Sequence, residues 1–199
     1  MYAKAMLGGM VTRRRAETRG RLLDAALRVF AAKGWGQVRI EEICDAAGYT
    51  RGAFYSNFDS LDELFFALYD ERADLIATQV TAALADPDPS FHHAVERAAS
   101  TLLLDRDWLL IKTDFLLHAA RHPDVAGRLA EHRARLREAI EQRLASTPLT
   151  LPAALPDVPA AARAVIAAYD GVTVQLLLDA DAHAARTWLT QLLNALLVR

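Results

Sequence analysis

The chain is poor in the features that mark extracellular, membrane and most catalytic proteins. It holds one cysteine, Cys44, in 199 residues, so no disulfide can form within the chain and a reducing compartment is expected. No apolar run approaches the roughly 20 residues that a membrane span needs. The opening MYAKAMLGGMV is too short for the apolar region of a secretion signal, and its arginines follow that region instead of preceding it. A cytoplasmic protein with no membrane partner is therefore expected. Strand signals are missing as well: there is no sustained period-two alternation and no tight turn between β-branched runs. Also absent are a glycine-rich phosphate loop, a G-x-S-x-G elbow, paired cysteines at zinc spacing and H-E-x-x-H. His118 near Asp114 could pass for an acid–base pair, but it lacks a nucleophile or cofactor beside it. A helical-bundle enzyme is thus the least favoured alternative, and no cofactor is implied.

What the chain has instead is leucine and alanine. Apolar residues make up 53% of it, enough for a sizeable core, and Leu and Ala favour helices over strands. The expected fold class is all-α, with about nine helices: an N-terminal three-helix helix-turn-helix domain and a C-terminal helical bundle. Hydrophobic spacing and breakers place helices at residues 17–32, 38–48, a short one after Thr50, then 61–85, 90–104, 107–121, 124–146, 159–179 and 181–198. "DPDPS" ends the fourth, His122-Pro123 parts the sixth from the seventh, and the four prolines of "TPLTLPAALPDVP" mark a loop before the eighth. The expected division is a flexible basic arm over 1–15, a DNA-binding domain over 16–60 and a further domain over 61–199. Cys44 reads as a small core residue between Ile43 and Asp45.

The net charge of −2 is unevenly spread. Residues 1–60 carry ten Lys/Arg against six Asp/Glu, and the remainder thirteen against nineteen. A basic N-terminal part is a candidate for a phosphate backbone. Within it, "AGYTRGAFYSNF", residues 47–58, reads as the second half of a helix-turn-helix. Gly48 supplies the turn, and Cys44 and Ala47 allow close helix crossing. Phe54 and Phe58 are four apart and anchor one face of the second helix, which leaves the other free to enter a major groove. On that face Thr50 caps the helix and Arg51 can reach a phosphate or guanine. Gly52 and Ala53 allow close approach, and the Ala53 methyl can touch thymine. Tyr55 can donate to phosphate, and Ser56 and Asn57 can bond base edges or backbone. A helical hairpin buried in a core has the same spacing, so the pattern alone leaves that alternative open. "TRRRAETR", residues 12–19, is either a solvated basic arm or one that follows the DNA backbone or minor groove.

The segment "FAAKGWGQVRIEEICDAAGYTRGAFYSNFDSLDELF", residues 30–65, closely resembles the DNA-binding domain of the TetR family of bacterial transcriptional repressors. The carrying features are Lys-Gly-aromatic, Ile-x-x-Ile, Ala-Gly, a short helix with Gly and Phe-Tyr, Asn-Phe, and a Leu-bearing helix. The resemblance implies that Thr50, Arg51, Gly52, Tyr55 and Asn57 contact double-stranded operator DNA. Two positions depart from the family. Val38 replaces a Thr that would cap the second helix, and Leu61 replaces a Lys that would contact phosphate; Arg39 is a candidate to replace the first contact.

"AAYDGVTVQLLLDA", residues 167–180, resembles the family's dimerisation helix. A symmetric homodimer is thereby implied, with Val172, Leu176, Trp188, Leu192 and Leu196 as candidate interface residues and a near-palindromic operator. A small-molecule effector of unknown identity is implied too, with Trp108, Phe115, His118, Tyr169 and Gln175 as candidate lining residues; each is also a reasonable core residue. A DNA-binding dimer without an effector is the alternative. Asp114, His118 and His122 recur every four residues, a stripe that could ligate a divalent metal. The plainer expectation is no metal, with His122 as a favourable cation at a helix C-terminus and His118 as a polar pocket residue.

Overall fold

The computed structural model describes residues 2–84, 91–102, 105–146 and 150–197. Among them the chain is all-helical: α1 (Tyr2–Lys33), a 3-10 turn (Trp35–Gln37), α2 (Ile40–Ala47), α3 (Arg51–Tyr55), α4 (Leu61–Leu84), α5 (Phe91–Thr101), α6 (Arg106–Ala119), α7 (Pro123–Ala145), α8 (Val158–Asp179) and α9 (Ala182–Leu197). The "DPDPS" breaker at residues 86–90, part of the proline-rich loop at 147–149, positions 103–104 and the expected helix end at Val198 lie outside the described residues.

The largest departure from the expected elements is at the start. α1 runs from Tyr2, not from about residue 17, so the stretch expected to be a flexible arm continues the helix. Alanine, methionine, leucine, arginine and glutamate are good helix formers, and no proline interrupts them. The chain divides into two compact units, Met1–Asp70 with Leu110–Val125, and Glu71–Leu109 with Ala126–Arg199. The boundary expected at residue 61 therefore does not follow chain compactness. The start of α4 and the end of α6 belong to the first unit.

In the first unit α1 packs on α2 and α2 on α3. Leu22, Leu23, Ala26 and Phe30 of α1 are buried, as are Ile43 and Cys44 of α2 and Phe54 and Phe58 around α3. An aromatic cluster extends this core. Trp35 stacks on Phe30, with ring centroids 4.7 Å apart, and meets Phe115 edge-on at 4.7 Å. Phe115 in turn stacks on Phe65 of α4, 12° from parallel. The Trp35 N–H donates to Asp114 Oδ2 at 3.2 Å. Gly34, at φ 79°, makes the joint before Trp35, and a Cβ there would lie 3.0 Å from Asp114 Oδ2. The positive φ favours glycine, and the Asp114 carboxylate would have to give by a few tenths of an ångström to admit a side chain.

Glu42 ties α2 to its surroundings. Its carboxylate accepts from Lys33 at the end of α1 and from the Arg39 N–H at 3.0 Å. The N-terminus of α2 is thus capped from inside the helix, and Val38 is buried one residue ahead of the cap. The capping position falls on Arg39, so Val38 deprives the helix of no hydroxyl cap. At the next N-terminus, Ser60 Oγ accepts from the Glu63 N–H at 3.1 Å, with Leu61 as the first residue of α4.

In the second unit α8 and α5 both pack on α9. Leu144, Ala161, Ala162 and Leu197 form a buried cluster on which Ile140, Val158, Val165 and Leu196 pack. Asp157 Oδ1 caps α8 through the Ala160 N–H at 2.7 Å, and Arg133 pairs with Asp170 at 2.7 Å to hold α7 to α8. Among the described residues α8 alone is long and apolar enough to cross a membrane by length and composition. Ala161, Ala162, Val172, Thr173 and Leu176 on it are core residues.

Two consequences can be measured. Phe115→Ala should destabilise the protein by about 3–5 kcal/mol, the cost of a large aromatic deleted from a close-packed site, read by denaturant unfolding. The Lys33 ammonium, and then the Arg39 N–H, hold the Glu42 carboxyl below its ordinary value of 4.5. The stability this contributes is complete above the unfolded value and is lost as pH falls through the depressed native one. Glu42→Gln should therefore flatten the acid limb of the stability profile below about pH 4.5, with its largest cost at neutral pH.

Candidate nucleic-acid interface

α2, the turn at Gly48 and α3 form the helix-turn-helix. Gly48 takes φ 73° and ψ 33°, the left-handed C-cap of α2, and the Tyr49 N–H returns to the Cys44 carbonyl at 2.9 Å. Cys44 is packed in the core, and burial raises its thiol's pKa, with Asp45 and Glu41 adding to it. Thr50 then starts α3 by accepting the Ala53 N–H on Oγ1 at 3.3 Å. α3 is one short turn. Phe54 is fully buried beneath it, and Phe58 follows 5.7 Å away, ring to ring.

The opposite face of α3 is open. Thr50, Arg51, Gly52, Tyr55 and Ser56 are exposed, with Tyr55 at 46%. Arg51 is held in place before any partner arrives. Its guanidinium lies 2.9 Å from the Glu41 carboxylate and 3.5 Å from the Tyr55 hydroxyl, and 5.8 Å from the centre of the Tyr55 ring. Tyr55 first, and then Glu41, raise its pKa further. Glu41 is a site residue that the sequence signals only as an acid in the first turn of α2. Arg39 is also exposed, 3.9 Å from Glu42.

Gly52, unlike Gly34 and Gly48, does not take a positive φ, and a Cβ there would meet only Thr50 Oγ1 at an ordinary 3.7 Å. Nothing inside the protein requires glycine there, although glycine weakens a helix by about 1 kcal/mol relative to alanine.

Asn57 is placed differently from expectation. α3 ends at Tyr55, and the Asn57 amide folds back to donate to the Ala53 carbonyl at 2.8 Å. The Ser56 hydroxyl bonds the same carbonyl at 2.8 Å. Both side chains satisfy an acceptor that the helix leaves open at its end, and Asn57 is half-buried.

Of the candidate effector residues, Trp108, Phe115 and His118 lie on α6, the first within the second unit and the other two within the first, and Tyr169 and Gln175 lie on α8 in the second unit. Phe115 is fully buried in the aromatic cluster, Trp108 is buried, and Gln175 is exposed. The candidate metal ligands do not converge, and no metal-binding cluster is found among the described residues. Asp114 turns to the Trp35 N–H, His118 Nε2 lies 3.3 Å from Asp62, and His122 Nδ1 meets the His118 carbonyl at 2.7 Å, as a residue at a helix C-terminus does. These side chains line a cleft of about 380 Å³ with Lys33, Gln37 and Arg121. The candidate dimer residues fall in different surroundings. Val172 and Leu176 face the chain's own core, and Leu196 packs on the Leu144 cluster. Leu192 is half-buried. Trp188 is 61% exposed, and the other large exposed hydrophobic residues of this region are Val174 and Leu178. The outward stripe of α8 is offset by two residues from the one expected.

Comparison with known proteins agrees with the geometry. Residues 22–68 match the model for bacterial regulatory proteins of the tetR family, and residues 87–198 that for the C-terminal part of BetI-type transcriptional repressors. The HTH-type transcriptional regulator CymR of Pseudomonas putida is 33% identical over 112 residues, 55% of either chain. The HTH-type transcriptional repressor Rv1474c of Mycobacterium tuberculosis is 31% identical over 129 residues, 65% of either chain. The chain thus spans about half to two thirds of the length of these curated relatives. Among solved structures, the multidrug binding protein EbrR complexed with imidazole is 28% identical, with a TM-score of 0.60 over 87% of this chain and 93% of that one. A TetR-family regulator from Rhodococcus sp. shares the fold at 18% identity, with a TM-score of 0.74 over 91% of this chain and 98% of that one. With the C-terminal model alone matching more than half of the residues, and with a helix-turn-helix built as described, the chain belongs to the TetR family of DNA-binding transcriptional regulators, which are typically repressors and are not enzymes.

Proposed function

We propose that this chain is a homodimeric, cytoplasmic repressor that binds a near-palindromic operator through α3 and is released by a small-molecule effector. The observation that carries the operator reading is Gly52. Gly20, Gly127 and Gly171 are equally free of any backbone or contact requirement, but Gly52 lies in the middle of the exposed turn of the helix-turn-helix, where a missing side chain gives clearance to a partner approaching from outside. Around it Thr50, Arg51 and Tyr55 offer a capped helix N-terminus, a cation and a hydroxyl to phosphate or base edges, with Arg39 nearby. Arg51, pre-oriented by Glu41 and Tyr55, is the candidate for direct readout of guanine.

The dimer is supported by Val174, Leu178 and Trp188, apolar and between half and three-quarters exposed on α8 and α9. Gly171 shares this outward stripe of α8, and its lack of a side chain would let a partner helix approach closely. EbrR complexed with imidazole is a precedent for a small-molecule ligand in a related protein. Trp108 and Tyr169, in the second unit, remain the candidates for contact with an effector here. An effector that favours a dimer mis-spaced for successive major grooves would lower operator affinity by population shift.

Selection of bound duplexes from a random pool should yield a near-palindromic site, bound with a large preference over random DNA and a steep salt dependence. Sequence-blind binding would refute the operator reading. Gly52→Ala should raise thermal stability by up to about 1 kcal/mol while lowering affinity for the selected site, an opposition that a purely structural helix would not show. Trp188→Glu with Leu178→Glu should turn the dimer into a folded monomer, read by sedimentation equilibrium.

A further inference from the structure

α3 has few means of holding its own shape. It is five residues long, contains Gly52 and is anchored at its start by the Thr50 cap. Its far end is held by another helix. Arg15 Nη2 donates to the Ser56 carbonyl at 2.9 Å, across 41 residues of sequence. One turn further along α1, the Arg19 guanidinium lies over the Phe58 ring, 4.5 Å from its centre. Arg15 and Arg19 are four apart and so share a face of α1. Ser56 is the C-cap of α3, where the last carbonyls lack helical partners, and Phe58 is an anchor of the turn that follows. A guanidinium suits both tasks, with planar donors for a carbonyl and a flat cation for an aromatic face.

We propose that Arg15 and Arg19 are positioning residues that fix the C-terminal end of the reading helix, and not phosphate contacts of a basic arm. The part of this that concerns DNA rests on the operator reading above. In this arrangement the basic stretch of α1 sets the orientation of Arg51 and Tyr55 through the backbone of α3, while Arg15 and Arg19 stay on the protein and off the DNA. Arg13 and Arg14, exposed as Arg15 is, are the natural comparison on the same stretch.

The test has one arm without DNA and one with it. In the free protein, Arg15→Ala with Arg19→Ala should accelerate amide hydrogen exchange at Ser56, Asn57 and Phe58 by about tenfold or more, the loss expected for one charged hydrogen bond and one cation–π contact. These amides donate to the Gly52 and Phe54 carbonyls of α3. Exchange at Val172 and Leu176 in α8 should not change, and the Arg→Lys pair should recover part of the protection. On a selected operator, the Ala pair should lose about tenfold in affinity and in preference over random DNA, with the salt slope unaltered, whereas Arg13→Ala with Arg14→Ala should flatten the slope. Unchanged exchange with a salt slope reduced by about two, roughly 0.9 for each phosphate no longer neutralised, would overturn the proposal. So would equal acceleration in α8, which would mark general destabilisation. Faster exchange at α3 in a protein that selects no operator would leave the brace standing and overturn the operator reading instead.

Discussion

The packing around Trp35 is the constraint on which the first unit depends. Its indole lies between rings from α1 and α6 with a third from α4 alongside, and its backbone N–H is satisfied by a carboxylate distant in sequence. The end of α6 thereby becomes part of the DNA-binding unit, although more than forty residues separate it from the helix-turn-helix. Aromatic rings in edge and stacked contact tolerate little displacement, since interiors are packed to near-crystalline density. The scaffold beneath α2 and α3 is accordingly rigid, while α3 itself is not self-supporting. Local order at the recognition surface is lent by neighbours: α2 through Glu41, and α1 through Arg15 and Arg19.

Much of this was legible in the sequence. The helix-turn-helix, its Gly48 turn, the Thr50 cap and the Phe54–Phe58 anchor are local features, set by spacings of three or four residues and by the conformational freedom of one glycine. Local chemistry can be read along a chain. The all-helical class was legible for a similar reason, since leucine and alanine at helical spacing admit few other solutions.

What was not legible was direction. Phe115 has the composition of a pocket residue and is core because Trp35 and Phe65, both distant in sequence, close over it. Val172 and Leu176 are as apolar as Val174 and Leu178, and helical spacing does not say which stripe faces the chain's own core. Asn57 was expected on the outer face of α3, but the helix stops two residues earlier and its amide turns to the carbonyl left behind. Asp114 and its histidines share a face at regular spacing, and each is engaged separately by its nearest neighbour. In every case a long-range contact or a helix end decided between options that the periodicity leaves equal. The start of α1 departs in the other direction, the helix running on through Gly8 and Gly9, a pair that sequence reading takes as a break.

Gly34 has a consequence for how the family member can diverge. At this joint an added side chain meets two separate obstacles, a backbone angle that L-residues avoid and a carboxylate at 3.0 Å. The backbone angle is the firmer of the two, since the carboxylate, which accepts from the Trp35 N–H at 3.2 Å, need give only a few tenths of an ångström. Any side chain at this residue therefore strains the backbone, whatever its size. The exposed face of α3 can drift one residue at a time toward a new operator, while the joint beneath it is inherited whole.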